Sequence, residues 1–394
     1  ANVSSSNGLE KRPKLRFPGF DEPWKKCEFK EFAKVNPKCQ SIPEQFYYID
    51  LGSVEDGELS NAKIENALSA PSRAQRLLSC NDVLFQTVRP YQQNNYLFCK
   101  ERSLPTVAST GYAVFRTKYD VPFLYALIHT GHFLNSVLSR CTGTSFPAVS
   151  ASDIEDILVS IPSLGEQQKI GELFRLLNSK IRKQKALIES LKKYKRGVNN
   201  QILSQIDNSY NCRLGSVCEI VGGGTPDTLH TEYWGNTVEW FTPSEIGKTK
   251  YVNNSVRKLS DIGLDNSSAK LLPIGTVLLT TRATLGEMSI AKQECSTNQG
   301  FQSLIPHTDR VSSEYLYYMQ IIIKPWCEKY ASGNTFREIS KSALSDCIIP
   351  IPDRARQEQI VKLLSSIDML IGAAESISMS LSKIRHGLMQ QLFI

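Results

Sequence analysis

Two stretches of the chain place apolar residues at alternating steps of four and three. From Ile170 the steps fall on 170, 174, 177, 181, 184, 188, 191, 195, 198 and 202, and eight of these ten positions are apolar, Ile170, Phe174, Leu177, Ile181, Ile188 and Leu191 among them. The same steps from Ile360 meet Ile360, Leu364, Ile367, Ile371, Ala374, Leu381, Leu388 and Leu392, again eight of ten. A repeat of 3.5 residues held over nearly five heptads predicts two long helices with a narrow coiled-coil seam, not a broad amphipathic face. Packing the two stripes against each other, antiparallel, is the simplest way to bury both. The polar seam positions, Gln184 and Lys195 in one run and Ser378 and Arg385 in the other, either fix the register or lie at a fraying edge. Ser163 with Glu166 reads as a capping box for the first helix. Asp353 reads as the N-cap of the second, where Arg356 does not complete the box.

The two runs belong to a longer repeat. Phe146 to Leu203 aligns without a gap with Phe336 to Phe393, 190 positions on, and 15 positions are identical, including Ile161-Pro162 with Ile351-Pro352, Gln167 with Gln357 and Gly197 with Gly387. That period is far too long for a solenoid and implies two domain-sized copies, each ending in a long helix. The matched glycines either admit another helix closely or are tolerated kinks. Upstream, strand patterns occur at 46–51, 82–88 and 111–117, and helical spacing runs from Val121 to Leu138. The second half answers in the same order, with 271–282 resembling 77–88, 299–306 standing where 110–117 does, 314–323 matching the helix, and 333–336 matching 143–146. The expected division is an arm over 1–16, a mixed domain over 17–160, a central helix over 161–206, a second mixed domain over 207–350 and a C-terminal helix over 351–394. The expected fold class is α+β with pseudo-two-fold symmetry. A two-fold object of this scale most commonly meets duplex DNA.

Composition adds less. No apolar run approaches the length of a membrane span. The N-terminus has no apolar core and reads as a mildly basic arm rather than a signal peptide. Ten cysteines form no C-x-x-C pair, and the histidines complete no metal spacing, so reduced thiols in a cytoplasmic protein are expected and no metal is. Charge placement is more telling. The formal net charge is +7, and the segment Glu166 to Leu203 alone carries +7, whereas its counterpart Arg356 to Phe393 carries +1. A basic rod suggests a polyanion nearby; a solvated helix face is the other reading.

Catalytic signatures are missing. There is no phosphate-binding loop, no H-E-x-x-H and no Pro-Pro-aromatic tetrapeptide of amino-methyltransferases. Gly222-Gly223-Gly224-Thr225 is followed at once by Pro226, with no helix pattern to complete a nucleotide cradle. Glu28-Phe29-Lys30 lacks the preceding Pro-Asp of a nuclease metal site. No cofactor is expected. What remains are polar loops of the residue types that read base edges. The second half offers Gly223, Gly224, Thr225, Ser244, Lys248, Arg282, Thr284, Asn298 and Gln299. The first half offers Arg89, Tyr91, Gln92, Gln93, Asn94 and Thr110 at corresponding places. Lys192 and Lys193 on the basic helix are candidates for the DNA backbone.

The segments "VGGGTPDT…EYWGNTVEWFTPSEI", "LPIGTVLLTTRATLGEMSIAK…STNQGFQSLIP" and "GNTFREIS…IPIPDRARQEQIVKLLSSID" resemble the DNA-specificity subunit of type I restriction–modification systems. "FPGFDEPWKKCEF" and "IPSLGEQQKIGELF…LNSKI" resemble the first half of the same family. The resemblance runs from Phe17 onward, with the first half departing from the glycine-rich wording of the second. It implies two target-recognition domains over 17–160 and 207–350, and no methylation or cleavage by the chain itself. It also implies double-stranded DNA bridging both domains, two methyltransferase subunits docked along the helices, and restriction subunits supplying motor and nuclease. Lys192, Lys193, Lys195 and Arg196 then face either the DNA backbone or a partner protein. A coiled-coil scaffold with protein-binding end domains is the alternative.

Overall fold

The computed structural model describes residues 12–38, 41–99, 102–207, 211–333 and 337–394. Most of the expected arm, and residues 334–336 of the matched 333–336 stretch, lie outside them. Two compact units are present: Ala1–Ala186 with Glu375–Ile394, and Leu187–Ala374. Each unit therefore takes one mixed domain and one half of each long helix, the central helix Leu164–Ser204 and the C-terminal helix Arg354–Leu392.

In the first unit, strand Lys25–Glu28 pairs antiparallel with Leu158–Ile161, which leads into the central helix. One four-stranded sheet runs Lys63–Asn66, Gln45–Ile49, Thr106–Ser109, Ala74–Leu77, its middle pair parallel. The other runs Lys34–Val35, Tyr112–Arg116, Asp82–Gln86, Tyr96–Phe98. The last sheet explains the uninterrupted apolar spelling of its strands. Val83, Phe85, Ala113 and Phe115 face a core with Phe29, Phe123 and Phe133, while Leu84, Tyr112 and Val114 face a second cluster with Ile49 and Phe98. Alternate side chains point to opposite faces, and both faces are covered.

The second unit repeats the plan. Asn211–Arg213 pairs antiparallel with Ile348–Pro350. A five-stranded sheet runs Cys218–Gly222, Gln302–Pro306, Val277–Leu279, Met288–Ala291, Tyr251–Val252. A four-stranded sheet runs Trp234–Gly235, Arg257–Leu259, Val238–Phe241, Cys295–Thr297, the last two parallel. Here too Val277 and Leu279 face one core and Leu278 the other.

Two local expectations are corrected. The helix expected over 121–138 is two helices, Val121–Leu127 and Gly131–Leu138. Thr130 caps the second by accepting the N–H of Phe133, so the chain turns a corner while the apolar period stays in phase. Glu166 does not serve a capping box. Its buried carboxylate accepts Arg16 Nε at 2.8 Å, Arg16 Nη2 at 2.9 Å and Trp24 Nε1 at 3.2 Å. Arg16, placed in the expected arm, is thereby tied to the central helix. Asp353 does cap the C-terminal helix, accepting the N–H of Arg356 at 2.9 Å.

Within the first unit Ile170, Phe174 and Leu177 pack with Leu388, Leu392 and Phe393. Phe174 meets Phe393 and Asn178 Oδ1 accepts Arg385 Nη1, so the helices run antiparallel. Within the second unit Leu191, Val198 and Ile202 pack with Ile360, Leu364, Ile367 and Ile371. Ile181 and Ile188 are buried and Leu381 half-buried. Of the polar seam positions, Lys195 pairs with Asp368 and Arg385 with Asn178, each bonded to the other helix. These two layers carry cross-helix partners, as a register-fixing layer requires.

Candidate nucleic-acid interface

Each unit builds one turn at the end of its two-faced sheet. In the second unit Asn298 Oδ1 accepts the N–H of Gly300 at 2.8 Å, and Thr281 N–H donates to the Gly300 carbonyl at 2.8 Å. In the first, Ser109 Oγ accepts the N–H of Gly111 at 3.2 Å, and Thr87 N–H donates to the Gly111 carbonyl at 3.0 Å. The scaffold is one; the loops it carries differ.

In the second unit four loops converge. Thr225 Oγ1 donates to Gln299 Oε1, Arg282 Nη2 donates to the Gln299 carbonyl at 3.0 Å, and Thr284 Oγ1 donates to the Pro243 carbonyl at 3.3 Å. Glu338 holds Arg282 Nε at 3.7 Å and accepts Thr281 Oγ1 at 3.1 Å. Thr225, Ser244, Thr284 and Gln299 are exposed; Arg282 and Asn298 are half-buried. The glycines serve packing. A Cβ on Gly223 would lie 2.0 Å from the Asn298 carbonyl, and one on Gly224 would lie 2.3 Å from the Ser268 backbone. Trp240 Nε1 donates to the Gly224 carbonyl at 2.9 Å, so a buried indole fixes the loop from beneath. Lys248 is exposed in the turn after Gly247, which packs on Glu287.

In the first unit the loop Arg89–Asn94 leaves the corresponding strand. Arg89 lies over the Phe146 ring at 4.4 Å, Tyr91 and Gln92 are exposed, and Gln93, Asn94 and Thr110 are half-buried. Arg89 and Gln93 both have positive φ, +54° and +52°. Beneath the loop His129 Nε2 faces Asn95, and its Nδ1 lies 2.7 Å from the Tyr125 carbonyl. Burial lowers the His129 pKa to about 4; the Tyr125 hydrogen bond opposes that shift and the Arg385 charge adds to it. An unfolded histidine titrates near 6.5. Between those values the unfolded chain binds the extra proton, so the stability of this unit falls as pH drops from about 6.5 toward 4. Unfolding followed by Trp24 fluorescence should show that slope, and His129→Gln should remove its share of it. Equal slopes in both proteins would refute the assignment.

Part of the basic helix has protein partners. Lys185 pairs with Asp56 at 2.7 Å and Arg182 with Glu58 at 3.1 Å, both on a hairpin of the first unit. Lys195 turns to Asp368. Lys192 is half-buried and Lys193 exposed. Sequence reasoning missed Gln86, His129, Trp240 and Glu338 beneath the loops, and it took Asn95, which is buried there, as part of the exposed reading loop. The available signal was a polar Gln86 closing an apolar strand.

Two units of one plan, each presenting its own loop cluster on a shared turn, define a duplicated scaffold with paired helices. The profile of the type I restriction modification DNA specificity domain matches twice, over residues 22–193 and 207–379, and the chain belongs to that family. Among its relatives, the type I restriction enzyme MjaIX specificity subunit of Methanocaldococcus jannaschii is 35% identical over 186 residues, covering 46% of this chain and 43% of the relative, so the match spans less than half of that protein. The HindI specificity subunit of Haemophilus influenzae is 21% identical over 372 residues, covering 73% of this chain and 80% of the relative. The fold is shared with a type I restriction-modification S subunit from M. genitalium, at TM-score 0.62 and 13% identity over 98% of this chain and 99% of that one. A chain from a structure of a type I R-M system gives 0.59 at 23% identity over 96% and 99%.

Proposed function

We propose that the chain is the sequence-specific double-stranded DNA-binding subunit of a type I restriction–modification complex. It reads a two-part asymmetric target and recruits methyltransferase and restriction subunits, without a catalytic step of its own. The observation that carries this is the shared turn with unlike loops. A common mount gives two readers, and different side chains make the halves of the target differ. Arg282, Thr284, Asn298, Gln299, Thr225 and Ser244, with Lys248 beside them, serve one half-site. Arg89, Tyr91, Gln92, Gln93, Asn94 and Thr110 serve the other. Gly223 and Gly224 contribute by letting their loop close onto Asn298 and Ser268.

Recruitment is supported by the outer faces of the long helices. Leu363, Leu370, Ile377 and Ile384 stand seven residues apart on the C-terminal helix, and all are exposed. Leu187 and Tyr194, at matching positions of the central helix, are exposed as well. A heptad stripe outside the seam suits a partner helix, and its presence on both helices suits two methyltransferase subunits. Gly197 and Gly387 have nothing within 4 Å of where a Cβ would sit, which leaves room for that partner.

Binding to randomised duplexes, with methyltransferase subunits present, tests the reading. Arg282→Ala should relax preference in one half-site only, by about 1–3 kcal/mol for a two-pronged contact, and Gln299→Ala should relax the same half-site. Gln92→Ala or Asn94→Ala should relax only the other. The logarithm of the affinity should fall linearly with log salt. Any single substitution that shifts both halves equally would rule out two independent readers, and salt-independent binding would favour a protein scaffold.

A further inference from the structure

Beneath the Arg89–Asn94 loop runs a connected set of polar groups, in which Tyr125 and His129 are half-buried. Asn95 and Gln86 are both buried. Asn95 Oδ1 accepts the N–H of Gln86 at 2.9 Å, its Nδ2 lies 3.3 Å from His129 Nε2, and its carbonyl accepts the Tyr125 hydroxyl at 3.1 Å. Gln86 Nε2 donates to the Val88 carbonyl and to Gln92 Oε1, both at 2.8 Å, and Gln86 Oε1 accepts the N–H of Asn94 at 3.2 Å. Donor and acceptor roles follow from the backbone groups at each end. The Gln86 N–H can only donate, so the Asn95 oxygen faces it and the Asn95 NH2 faces the imidazole. The Tyr125 carbonyl can only accept, so His129 carries its proton on Nδ1 and offers Nε2 as acceptor. A neutral imidazole is the one form that fits, in keeping with its burial.

The loop so held is not a relaxed one. Arg89 and Gln93 occupy the left-handed region without being glycine, a conformation that persists where surrounding contacts over-determine it. We infer that Gln86, Asn95 and His129 are positioning residues that set the Arg89–Asn94 loop in its base-reading shape before DNA arrives, and that Gln86 turns the Gln92 carbonyl inward so that Gln92 offers only its NH2 to the base edge. Gln92 then addresses an acceptor such as guanine O6 or N7, thymine O4 or adenine N7. The two-pronged adenine pair, which needs both amide atoms outward, is closed to it. Pre-setting the loop removes an ordering cost from binding. The inference rests on this loop being a reader, and the test separates the two.

Hydrogen exchange of residues 91–95 in the DNA-free full chain reports on positioning alone. Asn95→Ala should speed exchange of the Asn94 amide at least about tenfold, a loss of order one hydrogen bond. Gln86→Met, close in volume, should do the same and guards against a folding defect in the first variant. Asn95→Asp should keep the contact to the Gln86 N–H and raise the His129 titration point in its NMR spectrum, because a carboxylate there favours the imidazolium. A purely space-filling role for Asn95 would not move it. With methyltransferase subunits and randomised duplexes, Asn95→Ala should relax the half-site of the first unit about tenfold and leave the other unchanged. Unchanged exchange in both Asn95→Ala and Gln86→Met overturns the positioning role. Faster exchange with neither half-site altered overturns the assignment of this loop as a reader.

Discussion

Arg16→Met will destabilise the first unit by about 3–5 kcal/mol, the range for stripping the partner from a buried charge. The Glu166 side chain is 1% exposed and Arg16 15%, and their contact is two-pronged. After the substitution Glu166 keeps, among the described residues, only the Trp24 indole N–H, too little to replace water around a carboxylate. Adding Glu166→Gln removes the charge and should recover most of the loss. Urea unfolding followed by Trp24 fluorescence measures it, since the other three tryptophans, at 234, 240 and 326, belong to the second unit. A change below about 1 kcal/mol would mean that water reaches Glu166 and the pair is an ordinary surface bridge.

The second large effect concerns target geometry. Four residues inserted after Ala186, matched by four after Ala374, lengthen both helices at the boundary of the two units and leave the seam inside each unit intact. At about 1.5 Å and 100° per residue, the insertion adds about 6 Å of length and 40° of rotation. DNA rises about 3.4 Å per base pair. On the proposed function, with the helices spacing the two readers, methylation at the original target should be lost and reappear where the gap between half-sites is one or two base pairs different, with both half-site sequences unchanged. Methylome sequencing of cells carrying the variant and its methyltransferase decides it. A folded, active variant with an unaltered gap would show the helices to be passive linkers.

The long helices were legible because a narrow seam imposes a period that little else produces. Strands such as Asp82–Gln86 were legible by composition, though nothing in their spelling separates a sheet covered on both faces from a buried helix. The break at Thr130 was hidden because the corner keeps the apolar phase, so Ile128 and Phe133 are both buried. Glu166 misled for another reason. A carboxylate three residues after Ser163 has the spelling of a capping box, but its partner stands 150 positions earlier, and the buried pair outweighed a local cap. At the candidate interface, recurrence at matching places in both halves pointed to the loops. Asn94 and Asn95 are the same residue type side by side, yet one is half-buried in the loop and the other fully buried beneath it. Which of two adjacent amides faces inward depends on Gln86 and His129, and no local pattern records that.

The composition of the two units has a consequence for how the chain is made. Leu187–Ala374 is one unbroken segment, whereas the other unit joins Ala1–Ala186 to Glu375–Ile394. Leu392 and Phe393, which leave the ribosome only after the whole of Leu187–Ala374, sit in the core with Trp24 and Phe123. During synthesis the half that emerges first must therefore wait, with that apolar surface uncovered, while the half that emerges second can close on itself. Birth order and completion order are reversed, and chaperone demand during translation falls on the N-terminal half.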